Sequence, residues 1–295
     1  MDAKIDYAKI YSPSKLNMFL ECPKCYHFYY LDPIYSKMKS DLKKLPDNIW
    51  SFHTLGKAVH NAITLFYHSP IEERTKGSLK EFLKETWQSE VMPNKKPPLG
   101  KWGGFESIER EREAYHQALQ MLANFWEMAE LEIKPAYLPT RDFWRSIEDY
   151  KKLIVPLTSE FDISGKFDLV IAEDDDSLRI IDFKTGKREK DDYFQLRFYK
   201  ILAELRFKKP VEKASFYFLR AGNKKEFDLT GETTEEIRKE MLARIREIKA
   251  KRIFEPRPSK LCKFCLFKSF CPEKERVNEI VEGVKEGDYP DDLLF

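Results

Sequence analysis

The stretch Leu153–Lys187, LIVPLTSEFDISGKFDLVIAEDDDSLRIIDFKTGK, decides the fold. β-Branched and apolar residues run from Leu153 to Ile171, a polar turn occupies Asp174 to Ser177, and a second apolar run ends at Lys184, which together predict a β-hairpin. Side chains on a strand share a face every second residue. Asp182 and Lys184 therefore project together while Phe183 turns into the core, and Asp168 on the adjoining strand is expected beside Asp182. Two carboxylates that close repel each other unless one takes a proton or a divalent cation lies between them.

Downstream, Lys190 to Phe207 reads as an amphipathic helix on which Gln195 and Tyr199, four residues apart, meet on one face. Ala214 to Ala221 and Lys225 to Leu229 predict a second hairpin across Gly222-Asn223. Thr233 and Glu236 then form a capping-box pattern that opens a helix running to Arg252. The expected sheet is short and mixed. Basic residues cluster at Lys184, Lys187, Arg188 and Lys190, where they could hold phosphates, and from Arg244 to Arg252, which reads as a solvated helix face.

Upstream, SPSKLNMFLECPKCYHFYYL predicts a helix capped by Ser12, with Pro13 in its first turn and Leu16, Phe19 and Leu20 on one face before Cys22-Pro23. Between His60 and the strands, roughly 70 to 147, the pattern is helical. Ser78 is expected to cap one helix and Phe105 to Ile133 to form a longer one, with a loop containing Pro93, Pro97 and Pro98 between them. The aromatics of this segment are expected mainly as helical core, although exposed rings of this kind can stack bases.

All five cysteines fall near the two ends of the chain: Cys22 and Cys25, then Cys262, Cys265 and Cys271. No secretory pattern opens the sequence, so clustered thiols point to a metal centre and not to disulfides. Three C-terminal thiolates completed by one N-terminal cysteine would tie the chain ends together. Four thiolates suit either Zn²⁺ or an iron-sulfur cluster. In a zinc ribbon Cys22-x2-Cys25 and Cys262-x2-Cys265 would be the paired knuckles, leaving Cys271 over.

With 295 residues, 42% hydrophobic and 35% charged, the chain can bury a substantial core as one large domain or two. Its net charge of +2 is too small to argue for nucleic acid by itself. No apolar stretch approaches a membrane span, and the expected location is cytoplasmic. No Walker phosphate loop is present, so helicase activity would need a partner.

The order Gly-x-x-Asp (Gly165, Asp168), Asp-x-Lys (Asp182, Lys184) and Gln-x-x-x-Tyr (Gln195, Tyr199) resembles the RecB-like and CRISPR-adaptation branch of the PD-(D/E)xK nucleases. Leu55-Gly56-Lys57-Ala58-Val59-His60 matches that branch's Gly-x-x-x-His segment, and the helix before Cys22-Pro23 its opening helix. The resemblance implies an α/β, restriction-endonuclease-like core, a short mixed β-sheet flanked by helices, with a helical insertion and a C-terminal cysteine cluster. In linear order it implies an N-terminal helical segment over 1–69 with the first cluster cysteine and His60, an insertion over 70–147, the nuclease core over 148–255, a cysteine segment over 256–280 and a tail over 281–295.

The implied activity is hydrolysis of DNA phosphodiesters, as an exonuclease on single-stranded DNA or DNA ends, in repair, recombination or CRISPR adaptation. His60, Asp168, Asp182 and the Phe183 carbonyl would hold Mg²⁺ or Mn²⁺, Lys184 would act on the water or the phosphate, and Gln195 and Tyr199 would position the strand. An aspartate at 182, where many relatives carry glutamate, shortens that reach by one methylene. The resemblance assigns a [4Fe-4S] cluster to Cys22, Cys262, Cys265 and Cys271, with Cys25 spare and structural Zn²⁺ the alternative. Expected partners are DNA and a helicase, a sliding clamp or other recombination proteins; the terminal GDYPDDLLF could be a flexible tail or a docking peptide, but it lacks the glutamine that leads a clamp-binding motif. Two other classes stand beside this reading: a non-catalytic DNA-binding or scaffold subunit of a helicase-nuclease complex, and a metal-stabilised interaction protein whose Asp-x-Lys hairpin is incidental.

Overall fold

The structure, a computed structural model, describes residues 6–45, 48–91, 103–140, 147–187, 189 and 192–284. Pro93, Pro97 and Pro98 of the expected loop, Arg188 and Lys190 of the basic cluster and the terminal GDYPDDLLF lie outside them. Along the chain the elements are β1 (Ile10–Tyr11), α1 (Pro13–Glu21), α2 (Pro23–Tyr26), α3 (Tyr35–Leu42), α4 (Ser51–His68), α5 (Lys76–Val91) and α6 (Ile108–Met128). Then follow β2 (Pro135–Tyr137), α7 (Ile147–Lys152), β3 (Ile154–Pro156), β4 (Asp162–Ser164), β5 (Leu169–Ala172) and β6 (Leu178–Lys184). The remainder is α8 (Tyr193–Phe207), β7 (Val211–Phe218), β8 (Asn223–Asp228), α9 (Thr234–Ala250) and α10 (Lys274–Glu282).

These pack as two compact units. One gathers Met1–Asn48, Ile154–Gly165 and Thr234–Phe295; the other gathers Ile49–Leu153 and Lys166–Thr233. The first holds a small mixed sheet in the order β1-β4-β3, with β1 parallel and β3 antiparallel to β4. In α1 the Ser12 side chain accepts from the Lys15 N–H and Pro13 sits at the first helical position, as the sequence predicts. Leu16 and Phe19 are buried, but Leu20 is 45% exposed, a correction to the expected apolar face. Lys15 and Met18 take the buried positions instead; the Lys15 ammonium is satisfied by the carbonyls of Tyr7 and Ile10 and lies over the rings of Tyr11 and Tyr30.

The second unit is built on a five-stranded mixed sheet in the order β2-β5-β6-β7-β8, in which only the β6/β7 pair is parallel. That pair needs a crossover, and α8 supplies it. β6 is central and buried through six of its seven residues, which explains its run of Leu, Ile and Phe. Helices α4, α5 and α6 close over one face: Ala58, Val59, Ala62, Ile63 and Phe66 of α4 meet Leu79 and Leu83 of α5, Met121 and Phe125 of α6, and Ile181 and Phe183 of β6 in one core. This is the restriction-endonuclease-like α/β arrangement that the sequence motifs imply.

Several expected boundaries move. The apolar run from Leu153 to Ile171 forms three short strands, not one, because Pro156 ends β3 and the Thr158 side chain caps a turn by accepting from the N–H groups of Glu160 and Phe161. β2 arises inside the stretch read as helical and pairs antiparallel with β5. The helix expected over Phe105 to Ile133 is α6, shortened to Ile108–Met128 by the Ser107 cap and by Gly104, whose φ of +76° cannot continue a helix. Ser78 is not the cap of α5. Thr75 is, with Ser78 three residues on, each side chain accepting the other's backbone N–H. The second hairpin forms, but it turns over Leu219–Gly222, with φ +75° at Gly222, and Asn223, expected in the turn, is the first residue of β8.

Candidate active site

Every acid, lysine, histidine, glutamine and tyrosine singled out for hydrolysis lies in the second unit, on α4, β6, α8 and the approach to β5. β5 pairs with β6 in the register Leu169↔Ile181. Continuing that register by one residue sets Asp168 opposite Asp182. Asp168 just precedes β5, and its Oδ2 accepts the Phe183 backbone N–H at 2.9 Å. Its Oδ1 lies 2.9 Å from Nδ1 of His60 on α4.

On β6, Asp182 and Lys184 share a face as the period-two alternation requires, with Lys184 Nζ 2.9 Å from Asp182 Oδ2. Phe183 between them points into the core, edge-on to Phe125 and Tyr217. α8 begins at Tyr193 behind an Asp192 cap, later than the expected Lys190. Its first turn delivers Gln195, a buried side chain that joins three others. Gln195 Oε1 accepts from Lys184 Nζ at 2.7 Å, and Nε2 donates to Tyr199 Oη at 3.2 Å and to Asp182 Oδ1 at 3.4 Å. The predicted i,i+4 contact is thus present, and it forms the back wall of the acid pair.

The electrostatics separate the two carboxyls. Burial pushes Asp182 up to about 6; Lys184 opposes that and the neighbouring Asp168 adds to it. Burial acts on Asp168 too, but the charge and hydrogen bond of His60, the charge of Lys166 and the Phe183 N–H together hold it below the ordinary range. Burial and the two nearby carboxylates raise Tyr199 well above a phenol's usual value, so it stays a neutral hydroxyl.

Two hard carboxylates with an imidazole, one of them costly to ionise without a cation nearby, are a donor set whose chemistry fits Mg²⁺ or Mn²⁺. As the side chains stand, however, they satisfy one another. Among the described residues no group of three or more His, Cys, Asp or Glu side chains is arranged to hold a metal ion.

The five cysteines meet in the first unit. Cys22, Cys25, Cys262, Cys265 and Cys271 line one pocket, partly open to solvent, with Phe28 and Phe267. Cys22 Sγ accepts two backbone N–H groups, from Cys25 and Arg257 at 3.4 Å each, and Cys262 Sγ accepts one from Ser259 at 3.3 Å. Cys25 Sγ touches Cys265 Sγ at 3.7 Å. The contact with Cys265 and burial together raise the Cys25 thiol, while the same contact lowers Cys265. This donor set fits a thiolate-bound metal centre by its chemistry.

Sequence reading gave no role to Lys57 or Lys166. Lys57 stands one turn before His60 on α4, and Lys166 lies within electrostatic reach of both Asp168 and Lys57. The signal was present, since each belongs to a motif already singled out, one to Gly-x-x-x-His and the other to Gly-x-x-Asp. The profile of the PD-(D/E)XK nuclease superfamily matches residues 10–272, which include every one of these side chains. No curated protein matches the chain.

Proposed function

Because the chain belongs to the PD-(D/E)XK nuclease superfamily, we propose that it is a metal-dependent deoxyribonuclease of the RecB-like, CRISPR-adaptation type, acting on single strands or DNA ends. The observation that carries this reading is a pair of hydrogen-bonded clusters, His60–Asp168 and Asp182–Lys184–Gln195–Tyr199, joined through the Phe183 N–H that Asp168 accepts, so that the residues of all four motifs converge. A scaffold protein descended from a nuclease would have no need to keep that set complete.

His60, Asp168, Asp182 and the Phe183 carbonyl would hold Mg²⁺ or Mn²⁺, which when bound polarises the scissile phosphate and favours deprotonation of the attacking water. Lys184, anchored by Asp182 and Gln195, presents its ammonium to the charge that builds on the phosphate. Gln195 fixes that ammonium from behind, and Tyr199 fixes Gln195. Asp168, kept ionised by His60, orients the Phe183 peptide through its N–H.

In the cysteine pocket we assign a [4Fe-4S] cluster to Cys22, Cys262, Cys265 and Cys271. The backbone N–H groups directed at the sulfurs of Cys22 and Cys262 are the kind of hydrogen bond that a metal-bound sulfur accepts. Structural Zn²⁺ is the second reading, favoured by the 3.7 Å contact of Cys25 and Cys265; two sulfurs on a tetrahedral zinc with legs of about 2.3 Å stand about 3.8 Å apart. Either centre would be structural, stabilising the first unit through metal binding. Iron, zinc and acid-labile sulfide assays on anaerobically purified protein separate the two.

A linear and a covalently closed circular single strand, offered with Mn²⁺, test the activity. Metal-dependent loss of the linear strand alone supports an exonuclease, cutting of both makes it an endonuclease, and inertness toward both removes the proposal.

A further inference from the structure

α4 carries His60 into the site, and the face that bears His60 continues toward the start of that helix. His53, Lys57 and His60 fall at i, i+4 and i+7, on one face and about 10 Å from end to end. Lys57 is exposed and His53 and His60 are half-buried, whereas Leu55, Ala58, Val59 and Ala62 on the opposite side are core. Gly56 brings this half of the helix against the chain leaving β6: a Cβ on Gly56 would meet Thr185 Oγ1 at 3.1 Å, one residue beyond Lys184. The face therefore begins at the acid pair and runs away from it.

At its far end are three half-buried aromatic rings. Trp50 and Phe52 lie with their planes 5° apart and centroids 6.2 Å apart, an offset pair, and His53 packs edge-on against both. The backbone beneath them is pinned, because Thr54 Oγ1 donates to the Gly103 carbonyl at 2.8 Å and Gly104 packs directly under the Ile49 carbonyl. Nearer the site Lys166 lies beside Asp168 and within electrostatic reach of Lys57. Fixed parallel rings beyond a pair of cations are what an unpaired strand needs, with rings for its bases and ammonium groups for its phosphates. Paired bases are already stacked within a duplex and cannot reach such rings.

Resting on the nuclease reading above, we propose that this face of α4 is a track for the single strand leaving the acid pair, with Lys57 and Lys166 on its phosphates and Trp50 and Phe52 stacking its bases. The test is anisotropy of a labelled thymidine 20-mer, and of the same strand with abasic spacers, bound to the full-length protein in EDTA. The wild type binds the strand with bases about tenfold more tightly. Trp50→Ala/Phe52→Ala binds both strands alike, near the abasic value, and Trp50→Phe restores the preference. Lys57→Ala weakens both strands equally and lowers the salt dependence by about one phosphate contact.

Equal affinity of the wild type for the two strands overturns the track and requires no variant to fold. Retention of the full base preference by a well-folded Trp50→Ala/Phe52→Ala protein overturns the assignment of the rings. Cleavage of the same strand with Mn²⁺ reads the nuclease assignment separately. Cleavage with base-indifferent binding sinks only the track, and base-dependent binding without cleavage sinks only the nuclease.

Discussion

Replacing Asp182 by asparagine should make the metal-free protein more stable at neutral pH while removing its activity. Burial raises the Asp182 carboxyl from 3.8 to about 6, so the folded state holds that proton more tightly than the unfolded chain does. For an acid shifted upward, the associated stability is fully present below pH of about 4 and is lost as pH rises through about 6. The shift of about 2 units corresponds to about 3 kcal/mol, the cost of ionising Asp182 in place above pH 7. Asparagine cannot ionise, and its amide oxygen can still accept from Lys184 and Gln195. The Lys184 ammonium 2.9 Å away is already counted in that shift, which it opposes. The expectation is a stabilisation of up to about 3 kcal/mol at pH 8. Urea unfolding of both proteins in EDTA at pH 4.5, 6 and 8 measures it. The wild type should lose about 2 kcal/mol relative to the variant between pH 4.5 and 8, most of it below pH 6, because the loss runs from the unfolded value near 4 to the folded value near 6. A difference between the two proteins that does not vary with pH would refute the electrostatic account of this carboxyl.

Two further outcomes follow from the packing around the site. Gln195→Ala strips Lys184 of its amide partner and leaves the buried Tyr199 hydroxyl without its donor; cleavage should fall about ten- to a hundredfold in kcat with KM little changed, read by steady-state kinetics. Gly104→Ala would put a Cβ 2.3 Å from the Ile49 carbonyl oxygen at a φ of +76° and should destabilise the protein by more than about 1 kcal/mol in urea titrations, because the start of α4 must shift to make room.

Much of this was legible because it depends on short-range periodicity. Alternation along β6 sends Asp182 and Lys184 one way and Phe183 the other, and a helical spacing of four joins Gln195 to Tyr199; both patterns survive whatever packs around them. The placement of Asp168 beside Asp182 followed from the hairpin alone. β2 was not legible, since three residues led by a proline carry no strand period and gain their identity only by pairing with β5. The break between β3 and β4 was equally hidden, because Thr158 ends the run through its side-chain oxygen in a stretch that reads as apolar and extended. Leu20 shows the converse error. Helical spacing places it beside Leu16, yet the face that packs belongs to Lys15 and Met18, an ammonium over aromatic rings that hydropathy alone would put in water.

At the centre stands hydrolysis of DNA with a divalent cation by Asp168 just before β5, Asp182 and Lys184 on β6 and Gln195 on α8. Cleavage of end-labelled single-stranded DNA by anaerobically purified protein, with Mn²⁺ or Mg²⁺ against EDTA and beside Asp182→Ala, tests it most directly. The account predicts a product ladder that needs the metal and is absent with the variant. Tight binding without cleavage by a folded, metal-loaded wild type, or an undiminished ladder from Asp182→Ala, would contradict it.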